Sequence, residues 1–395
     1  MRNKCKEETL QEKHLTHVLL IYRQMIPSVR LCGHCQMEYL AKEKRLEYRT
    51  VQEMRIKNSD LNWADIVLLG RLDSWYENQL TKKLHEAGKY LVYIIDDDLL
   101  NIPSEISSAA HYGRKETQAY IRSMIELSDA ILSPSPLLLE KYARDGRKAI
   151  LIEEPAIHPS QFRPHDPNQP IKIGFAGSID RVSDIEGILK EALLKIKTTY
   201  GDHVQFEFFG AIPSFAEELD AKCIPYCNSY DIYREKLDSL NWDIGLAPMP
   251  DTPFHACKHY NKFVEYAAAG VVGVFSAVMP YTRMKAMNMP ARFCKNEADA
   301  WYEAICDLLD HPQERERLRM RCEQTATTLF SSDKTSKVFE TILNESKLNP
   351  KMKRIISVQD VKIQGIMFFV LEKCQMYSWK LPIVFIQKIL RRQKK

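Results

Sequence analysis

Two lysines and one glutamate lie close together in the chain, at a spacing that suits phosphate binding. Lys258 and Lys262 precede Glu265, which follows Lys262 after about one helical turn. The surrounding stretch NKFVEYAAAG predicts a helix that ends at Gly270. A helix start presents free backbone amides and the positive end of the helix dipole. Two cations and a carboxylate at this position suit a diphosphate and a pair of sugar hydroxyls.

The segments on both sides of this helix are predicted to be buried strands. WDIGLAPM before it and VVGVFS after it are short, apolar and punctuated by glycine, as expected of parallel strands covered on both faces. Strand, loop, helix and strand then form one βαβ unit. His255 lies in the loop of that unit, where its ring is within reach of a bound diphosphate or sugar.

A second turn, GFAGSIDRVSDIEG, follows another apolar run and leads into a predicted helix. Gly177 and Ser178 are small enough for a phosphate to approach the backbone there. Arg181 is placed to neutralise such a phosphate, and an exposed arginine at a helix start is the alternative. The turn lacks the GxGxxG spacing of dinucleotide-binding loops.

In the first half of the chain, the run YLVYIIDDDLLNIP ends a predicted strand with Asp96, Asp97 and Asp98. Ligands of open α/β sheets collect at the carboxyl ends of strands. Three adjacent carboxylates repel one another unless hydrogen-bond donors, cations or water compensate. A solvated acidic turn is the alternative to a functional role.

Length and composition indicate a two-domain globular protein. The chain has 395 residues, more than the roughly 250–300 at which a single core stops growing. Its formal charge of +4 is too small to indicate nucleic-acid binding. Its 10 cysteines are scattered, and its charged start lacks a secretory signal, so we expect a cytoplasmic protein. No apolar run approaches the roughly 18–20 residues of a membrane span, so any membrane contact is expected to be peripheral.

Both halves of the chain alternate short apolar runs with charged, helix-like stretches, which predicts an α/β protein with parallel sheets. The predicted strands are HVLLIY, ADIVLLG, KYLVYIID, DAILSPS and KAILIEE in the first half, and IKIGFAG, VQFEFFG, NWDIGLAPM, VVGVFS and ARFCKN in the second. Repeated prolines between Glu154 and Pro170 mark a boundary between two Rossmann-like halves. The predicted divisions are an N-terminal extension at 1–16, a first domain at 17–154, a linker at 155–170, a second domain at 171–345, and a basic amphipathic tail at 346–395.

The segment around Glu265 resembles the donor-binding segment of GT-B glycosyltransferases, particularly those of bacterial surface-polysaccharide clusters. These carry a pattern like wDigLaPl, followed by K and by K-x-x-E-Y-x-a-x-G. The matching residues here are Trp242, Asp243, Gly245, Leu246, Pro248, Lys258, Lys262, Glu265, Tyr266 and Gly270.

The resemblance implies a GT-B fold, in which two Rossmann-like domains face each other across a cleft. It implies that Glu265 holds the ribose hydroxyls of a nucleoside diphosphate sugar. The donor-binding set it implies is Gly177, Ser178, Arg181, His255, Lys258, Lys262 and Glu265. Arg30, Arg71, Asp96, Asp97 and Asp98 are expected on the acceptor side, and Lys258, Lys262, Asp97 and Asp98 are the expected catalytic residues.

One position departs from the pattern. Retaining members often carry a glutamate eight positions before the ribose glutamate, and Cys257 stands there. We expect a retaining rather than an inverting transferase, and the sequence alone leaves both open; in a retaining enzyme, front-face attack assisted by the leaving phosphate needs no general base. GT-B enzymes usually neutralise the diphosphate with side chains and helix dipoles, so no metal or other cofactor is expected.

The expected partners are a nucleotide sugar and a glycan or lipid-linked acceptor, with no nucleic acid. The tail mixes bulky apolar residues with lysine and arginine. This composition suits contact with the anionic inner surface of a membrane. Packing of that tail on the first domain is the alternative.

Two rival functions remain open from the sequence. A catalytically inactive protein that binds nucleotide sugars would explain Cys257. A thiol-disulfide redox protein would use the C-x-x-C pair Cys32 and Cys35, although two large α/β halves surround that motif. A zinc site that adds Cys223 and Cys227 is a weaker variant, because it would lock the two halves together.

Overall fold

Two six-stranded parallel sheets, one in each half of the chain, dominate the fold. The structure is a computed structural model, and it describes residues 15–157, 159, 164–348 and 356–357. The first sheet contains β1 His17–Tyr22, β2 Glu47–Gln52, β3 Ile66–Gly70, β4 Tyr90–Ile94, β5 Ala130–Ser133 and β6 Lys148–Leu151. The second contains β7 Ile171–Ala176, β8 Val204–Phe209, β9 Lys222–Ile224, β10 Ile244–Ala247, β11 Val272–Ser276 and β12 Arg292–Cys294.

Helices cover these sheets and connect their strands. Those of the first half are α1 Pro27–Val29, α2 Cys35–Lys42, α3 Asn58–Trp63, α4 Trp75–Glu86, α5 Ala109–Tyr112, α6 Lys115–Leu127 and α7 Pro136–Tyr142. Those that follow are α8 Val182–Tyr200, α9 Tyr230–Leu240, α10 Pro253–Ala256, α11 Asn261–Ala268, α12 Tyr281–Ala286, α13 Ala298–Asp310, α14 Pro312–Thr328, α15 Ser332–Ser336 and α16 Val338–Leu348. The predicted α/β class with two Rossmann-like sheets is confirmed.

The strand order places a crevice at the carboxyl end of each sheet. The first sheet runs β2-β1-β3-β4-β5-β6, so the chain reverses direction across the sheet between β1 and β3. The second runs β12-β11-β10-β7-β8-β9 and reverses between β7 and β10. Open parallel sheets bind ligands at such reversal points, outside the carboxyl ends of the strands. A binding site is therefore expected at the loops that follow β1, β3, β7 and β10.

The predicted βαβ unit around Lys258 is present. β10 pairs with β11 in parallel, and α10 and α11 lie between them along the chain. The α11 helix buries its apolar side against the second sheet, and the chain leaves it at Gly270, where φ is +68°. A left-handed residue after a helix favours glycine because it has no Cβ to clash.

The last described helix returns to the first half of the molecule. Phe339 and Ile342 of α16 are buried in the same apolar cluster as Val18 and Leu20 of β1. Ile356 joins the cluster on the other face of that sheet. Most of the predicted tail 346–395 lies outside the described residues, as do nearly all of 1–16 and part of the proline-rich linker. None of the described helices is long and apolar enough to cross a membrane.

Candidate functional site

A cavity of about 300 Å³ lies between the two sheets at their carboxyl ends. Loops after β7, β8, β9 and β10 line it from the second half, and loops after β1, β4 and β6 line it from the first. Its size falls at the lower end of the range for small-molecule pockets. Two backbone turns meet at its floor, where a Cβ on Gly210 would lie 2.2 Å from the carbonyl oxygen of Gly177.

Lys262 and Glu265 meet inside this cavity. The Lys262 Nζ atom lies 2.6 Å from Oε2 of Glu265. The hydroxyl of Tyr233, on α9, donates to the same Oε2 at 2.9 Å. The Tyr230 hydroxyl reaches Oε1 at the longer distance of 3.4 Å. Oε1 is therefore the less engaged of the two carboxylate oxygens, and it is the one with room to accept a hydrogen bond from a ligand hydroxyl.

Glu265 is an ionised carboxylate in a buried place. Only 5% of the residue is exposed. Burial raises the pKa of Glu265, but Lys262, Arg234 and the Tyr233 hydroxyl together outweigh burial and hold the pKa below its usual value. A buried, charged acceptor of this kind suits the hydroxyls of a sugar ring.

Lys258 links the two halves of the molecule. Its Nζ atom donates to Oδ1 of Asp97 at 2.7 Å, from the loop before α11 to the loop after β4. Arg71, which follows β3, lies 3.4 Å from the other oxygen of Asp97. Burial raises the pKa of Asp97, but these two cations overcome it and lower the pKa to about 2. Asp97 is therefore a strong ion-pair partner and a weak base.

Each of the three adjacent carboxylates has its own cation. Arg71 bonds to Asp96 at 3.1 Å, and burial raises the pKa of Asp96. Lys141, on α7, donates to Asp98 at 2.5 Å, and the Tyr142 hydroxyl also donates to Asp98. The run is thus a set of ion pairs rather than a solvated acidic turn.

Arg71 adopts an uncommon backbone conformation at this point. Its φ is +51°, in the left-handed region that non-glycine residues seldom occupy. The guanidinium bonds to Ser28 of the first reversal point as well as to Asp96. Strain of this kind persists where surrounding contacts fix the geometry, and it is common at binding sites.

A second, larger cavity of about 880 Å³ adjoins the first. It is lined by Arg71, Asp98 and His255, and by apolar side chains such as Ile102 and Phe254. Four residues line both cavities and form what we call the junction: Asp97, Ser178, Arg181 and Lys258.

His255 faces the larger cavity as a neutral ring. Its Nδ1 atom lies 2.7 Å from the hydroxyl of Thr252, the residue that caps α10. Burial is the largest cause of its lowered pKa, and the neighbouring cations Arg181 and Lys258 lower the pKa further, to about 4. Such a ring offers a hydrogen bond at neutral pH but carries no charge.

The turn after β7 brings its predicted residues to the cavities. Gly177 lines the smaller cavity, and Ser178 lines both. Arg181 is already engaged, because it donates to the carbonyl of Pro248 at 2.6 Å and pairs with Asp184 at 3.0 Å. These bonds fix its guanidinium between the loop that follows β7 and the loop that follows β10.

Arg30 lies away from both cavities, at a second contact between the halves. Its guanidinium pairs with Asp231 at the start of α9, at 2.7 Å. Arg30 therefore holds α9 against the first half of the molecule.

The C-x-x-C pair is not arranged for redox chemistry. Cys32 is fully buried and lies 3.5 Å from a carboxylate oxygen of Glu154. Burial, and then Glu154, raise the pKa of Cys32 well above its ordinary value, and burial raises the pKa of Cys35 to about 11. Redox-active thiols require the opposite shift. Within the described residues, no cluster of three or more His, Cys, Asp or Glu side chains has the geometry of a metal site.

Several site residues were not found from the sequence. Tyr230 and Tyr233 reach the cavity from α9, and His259 binds Glu153 at 3.1 Å beside the linker. Lys141 reaches from α7 to Asp98 and to the Cys257 sulfur, 3.5 Å away. The spacing of Tyr230, Tyr233 and Arg234 on one face of a predicted helix was the available signal for the first group. No local signal indicates His259 or Lys141.

Solved structures of other proteins share this architecture. Sucrose-phosphate synthase from Thermosynechococcus elongatus superimposes with a TM-score of 0.58 at 12% identity, over 84% of this chain and 99% of that one. HepE from Anabaena, solved in complex with UDP and glucose, gives 0.56 at 11% identity, over 84% of this chain and all of that one.

The chain has the GT-B fold. The fold expected from the Lys-Glu segment is thereby confirmed. The same architecture occurs in a putative UDP-N-acetylglucosamine 2-epimerase from Listeria monocytogenes, with a TM-score of 0.53 at 11% identity, over 87% of this chain and 100% of that one. No family model and no curated protein matches the sequence. The GT-B fold alone does not fix a reaction, so function must be argued from the site.

Proposed function

We propose that this GT-B protein is a glycosyltransferase that moves a sugar from a nucleoside diphosphate sugar to a glycan or lipid-linked acceptor. The observation that carries the proposal is the smaller cavity, where Lys258, Lys262 and the buried Glu265 surround a space between the two sheets. HepE, solved with UDP and glucose, and sucrose-phosphate synthase share the fold and support this choice. A role in surface-polysaccharide synthesis rests on the resemblance of the Lys-Glu segment.

The nucleoside part of the donor is placed in the second half. Glu265 accepts hydrogen bonds from the ribose hydroxyls, mainly through Oε1, whose protein contact is the longer one. The diphosphate then extends toward Lys262 and Lys258, with the backbone of Gly177 and Ser178 at the opposite wall. Cations and backbone amides of this kind stabilise the charge that develops on a leaving diphosphate.

The sugar reaches the junction, and the acceptor occupies the larger cavity. Asp97, Ser178, Arg181 and Lys258 line both spaces, so a bond that forms between donor and acceptor must form beside them. When the donor binds, the Lys258 ammonium leaves Asp97 and pairs with the diphosphate. Asp97 is then available to the acceptor hydroxyl, and Asp98, which Lys141 and Tyr142 hold, lines the acceptor space.

Retention of configuration is the favoured outcome. Asp97 at the junction and His255 in the larger cavity are weak bases, since the pKa of Asp97 is lowered to about 2 and that of His255 to about 4. Inversion calls for a general base with a pKa nearer to the working pH. Front-face attack assisted by the leaving phosphate needs none. The ion pairs of Asp96, Asp97 and Asp98 with arginine and lysine also favour a metal-independent reaction.

The first experiment measures thermal stabilisation by UDP, GDP, ADP, CMP and dTDP. A nucleotide at about a hundred times its dissociation constant adds about 2.7 kcal/mol to the free energy of unfolding. We expect one nucleotide to stabilise the wild type and to lose this effect in Glu265→Gln. Glu218→Gln is the matched control, because this glutamate is exposed and its pair with Lys190, at 3.7 Å, contributes little. If none of the five nucleotides stabilises the wild type, the result contradicts the proposal.

A further inference from the structure

The α9 helix presents three polar side chains to Glu265. Tyr230, Tyr233 and Arg234 lie on one face of α9 because they are spaced by three and four residues. Both hydroxyls donate to the carboxylate, and Arg234 donates to the main-chain carbonyl of Glu265 at 2.9 Å. The helix therefore fixes both the side chain and the backbone of this residue.

One hydroxyl connects Glu265 to Lys262. The Tyr233 hydroxyl donates to Glu265 at 2.9 Å and accepts from Lys262 Nζ at 3.1 Å. The Lys262 ammonium also lies 5.5 Å from the centre of the Tyr233 ring. Lys262 is thus held between a carboxylate and a tyrosine rather than extended toward the open cavity.

This arrangement creates a problem for donor binding. If Lys262 turns toward a diphosphate, Glu265 loses its nearest cation in a place where it is almost fully buried. An uncompensated buried charge is strongly destabilising. A hydroxyl that stays on the carboxylate reduces this cost, and burial raises the pKa of Tyr233 well above its ordinary value, which keeps the hydroxyl protonated.

We propose that Tyr233 is a positioning residue that allows Lys262 to leave Glu265 for the donor diphosphate. This inference rests on the proposed function. In the bound state, the Tyr233 hydroxyl and the ribose hydroxyls hold Glu265 together, and Lys262 is released to the phosphates. The Arg30–Asp231 pair joins the start of α9 to the first half, so closure of the two halves keeps Tyr233 in register.

The test compares affinities for a nucleoside diphosphate and its nucleoside, measured calorimetrically on the full chain: UDP and uridine first, then GDP, ADP and dTDP with their nucleosides. In Tyr233→Phe, Lys262 stays on Glu265, so the gain in affinity from the diphosphate falls by about tenfold. Affinity for the nucleoside stays within about threefold of the wild type. Tyr200→Phe is the matched control, because its hydroxyl also donates to a carboxylate, that of Asp310 at 2.8 Å, far from the cleft.

A double substitution separates positioning from simple support of the fold. If Tyr233 acts through Lys262, Tyr233→Phe has no further effect on the diphosphate gain in a Lys262→Ala background. Equal weakening of nucleoside and nucleotide binding, an unchanged diphosphate gain, or additive effects of the two substitutions overturns the role of Tyr233. Failure of the wild type to bind any of UDP, GDP, ADP, CMP and dTDP overturns the proposed function, and this inference with it.

Discussion

The two sides of the cleft satisfy their charges in different ways. On the side formed by the second half, Glu265 accepts hydrogen bonds from Lys262, Tyr233 and Arg234, which all belong to the same half of the chain. On the side formed by the first half, Asp97 pairs with Arg71 of the same half and with Lys258, which reaches across from the other half. The partners of Glu265 therefore come from one half, whereas Asp97 has one partner in each half. We expect nucleotide binding to depend mainly on the second half and turnover to depend on both.

Lys258 lines both cavities and pairs with Asp97 of the other half, so we expect its removal to have the largest effect. We expect Lys258→Ala to lower turnover by about 10²–10³-fold, because the leaving diphosphate loses a charged donor. Nucleotide affinity falls much less, since Glu265 and Lys262 remain. Steady-state kinetics with a nucleotide titration measure both. Lys190→Ala is the control, since that lysine is exposed. A parallel loss of binding and turnover would contradict the assignment.

The contact of His259 with Glu153 joins the two sides of the cleft, and it tests whether the stability of the protein depends on pH. Burial lowers the pKa of His259, but Glu154 and Glu153 outweigh it and raise the pKa to about 9. A raised pKa gives stability that is complete below about pH 6.5 and is lost as the pH rises through about 9. The loss is about 3 kcal/mol for such a shift.

Denaturant unfolding at pH 6, 8 and 10 measures this effect. We expect His259→Gln to be less stable than the wild type at pH 6 and to approach it at pH 10. His311→Gln, at an exposed histidine near Asp307, serves as control. A constant difference between His259→Gln and the wild type over the whole range would show that the ring acts without its charge.

The ion pairs of Asp97 test how much the first side of the cleft contributes to stability. Its pKa, lowered to about 2, gives stability that is present above about pH 4 and is lost as the pH falls toward 2. We expect Asp97→Asn to lower the free energy of unfolding at pH 7 by about 2 kcal/mol, a difference that disappears near pH 2.

Acid titrations of unfolding midpoints test this prediction for Asp97→Asn, the wild type and a matched variant. Asp145→Asn is that variant, because Asp145 is exposed and its pair with Arg147 contributes little. A difference between Asp97→Asn and the wild type that persists below pH 2 would exclude the ion pair as its cause.

The smallest effect is expected at the C-x-x-C motif. Cys35→Ala should change transferase activity less than twofold, because the Cys35 thiol is protonated and lines neither cavity. Activity assays before and after treatment with a reductant provide the readout. A large loss on substitution or reduction would revive the redox alternative.

The sequence predicted the buried strands and missed one strand in each half. The missed strands are β2 and β9, each at one edge of its sheet. β2 is largely exposed and reads EYRTVQ, and β9 reads KCI and is only three residues long. Neither shows the continuous apolar run that identifies the central strands.

The site was predictable where its residues lie in one local segment. Lys258, Lys262 and Glu265 lie on or beside one helix, and a single pattern indicates all three. His259 meets Glu153 although 106 positions separate them, and Lys141 meets Cys257 across the cleft. Contacts between such distant positions arise from the packing of the two halves, which residue spacing does not encode.

The most direct test of the account is release of nucleoside diphosphate from a nucleotide sugar. The wild type is incubated with the sugar form of the nucleotide that stabilises it and with cell-envelope glycolipid as acceptor, and products are followed by mass spectrometry. The account predicts free nucleoside diphosphate together with an acceptor enlarged by one sugar, and neither product from Lys258→Ala above about one hundredth of the wild-type rate. A nucleotide sugar that binds tightly but is recovered intact, or is only isomerised, would contradict it.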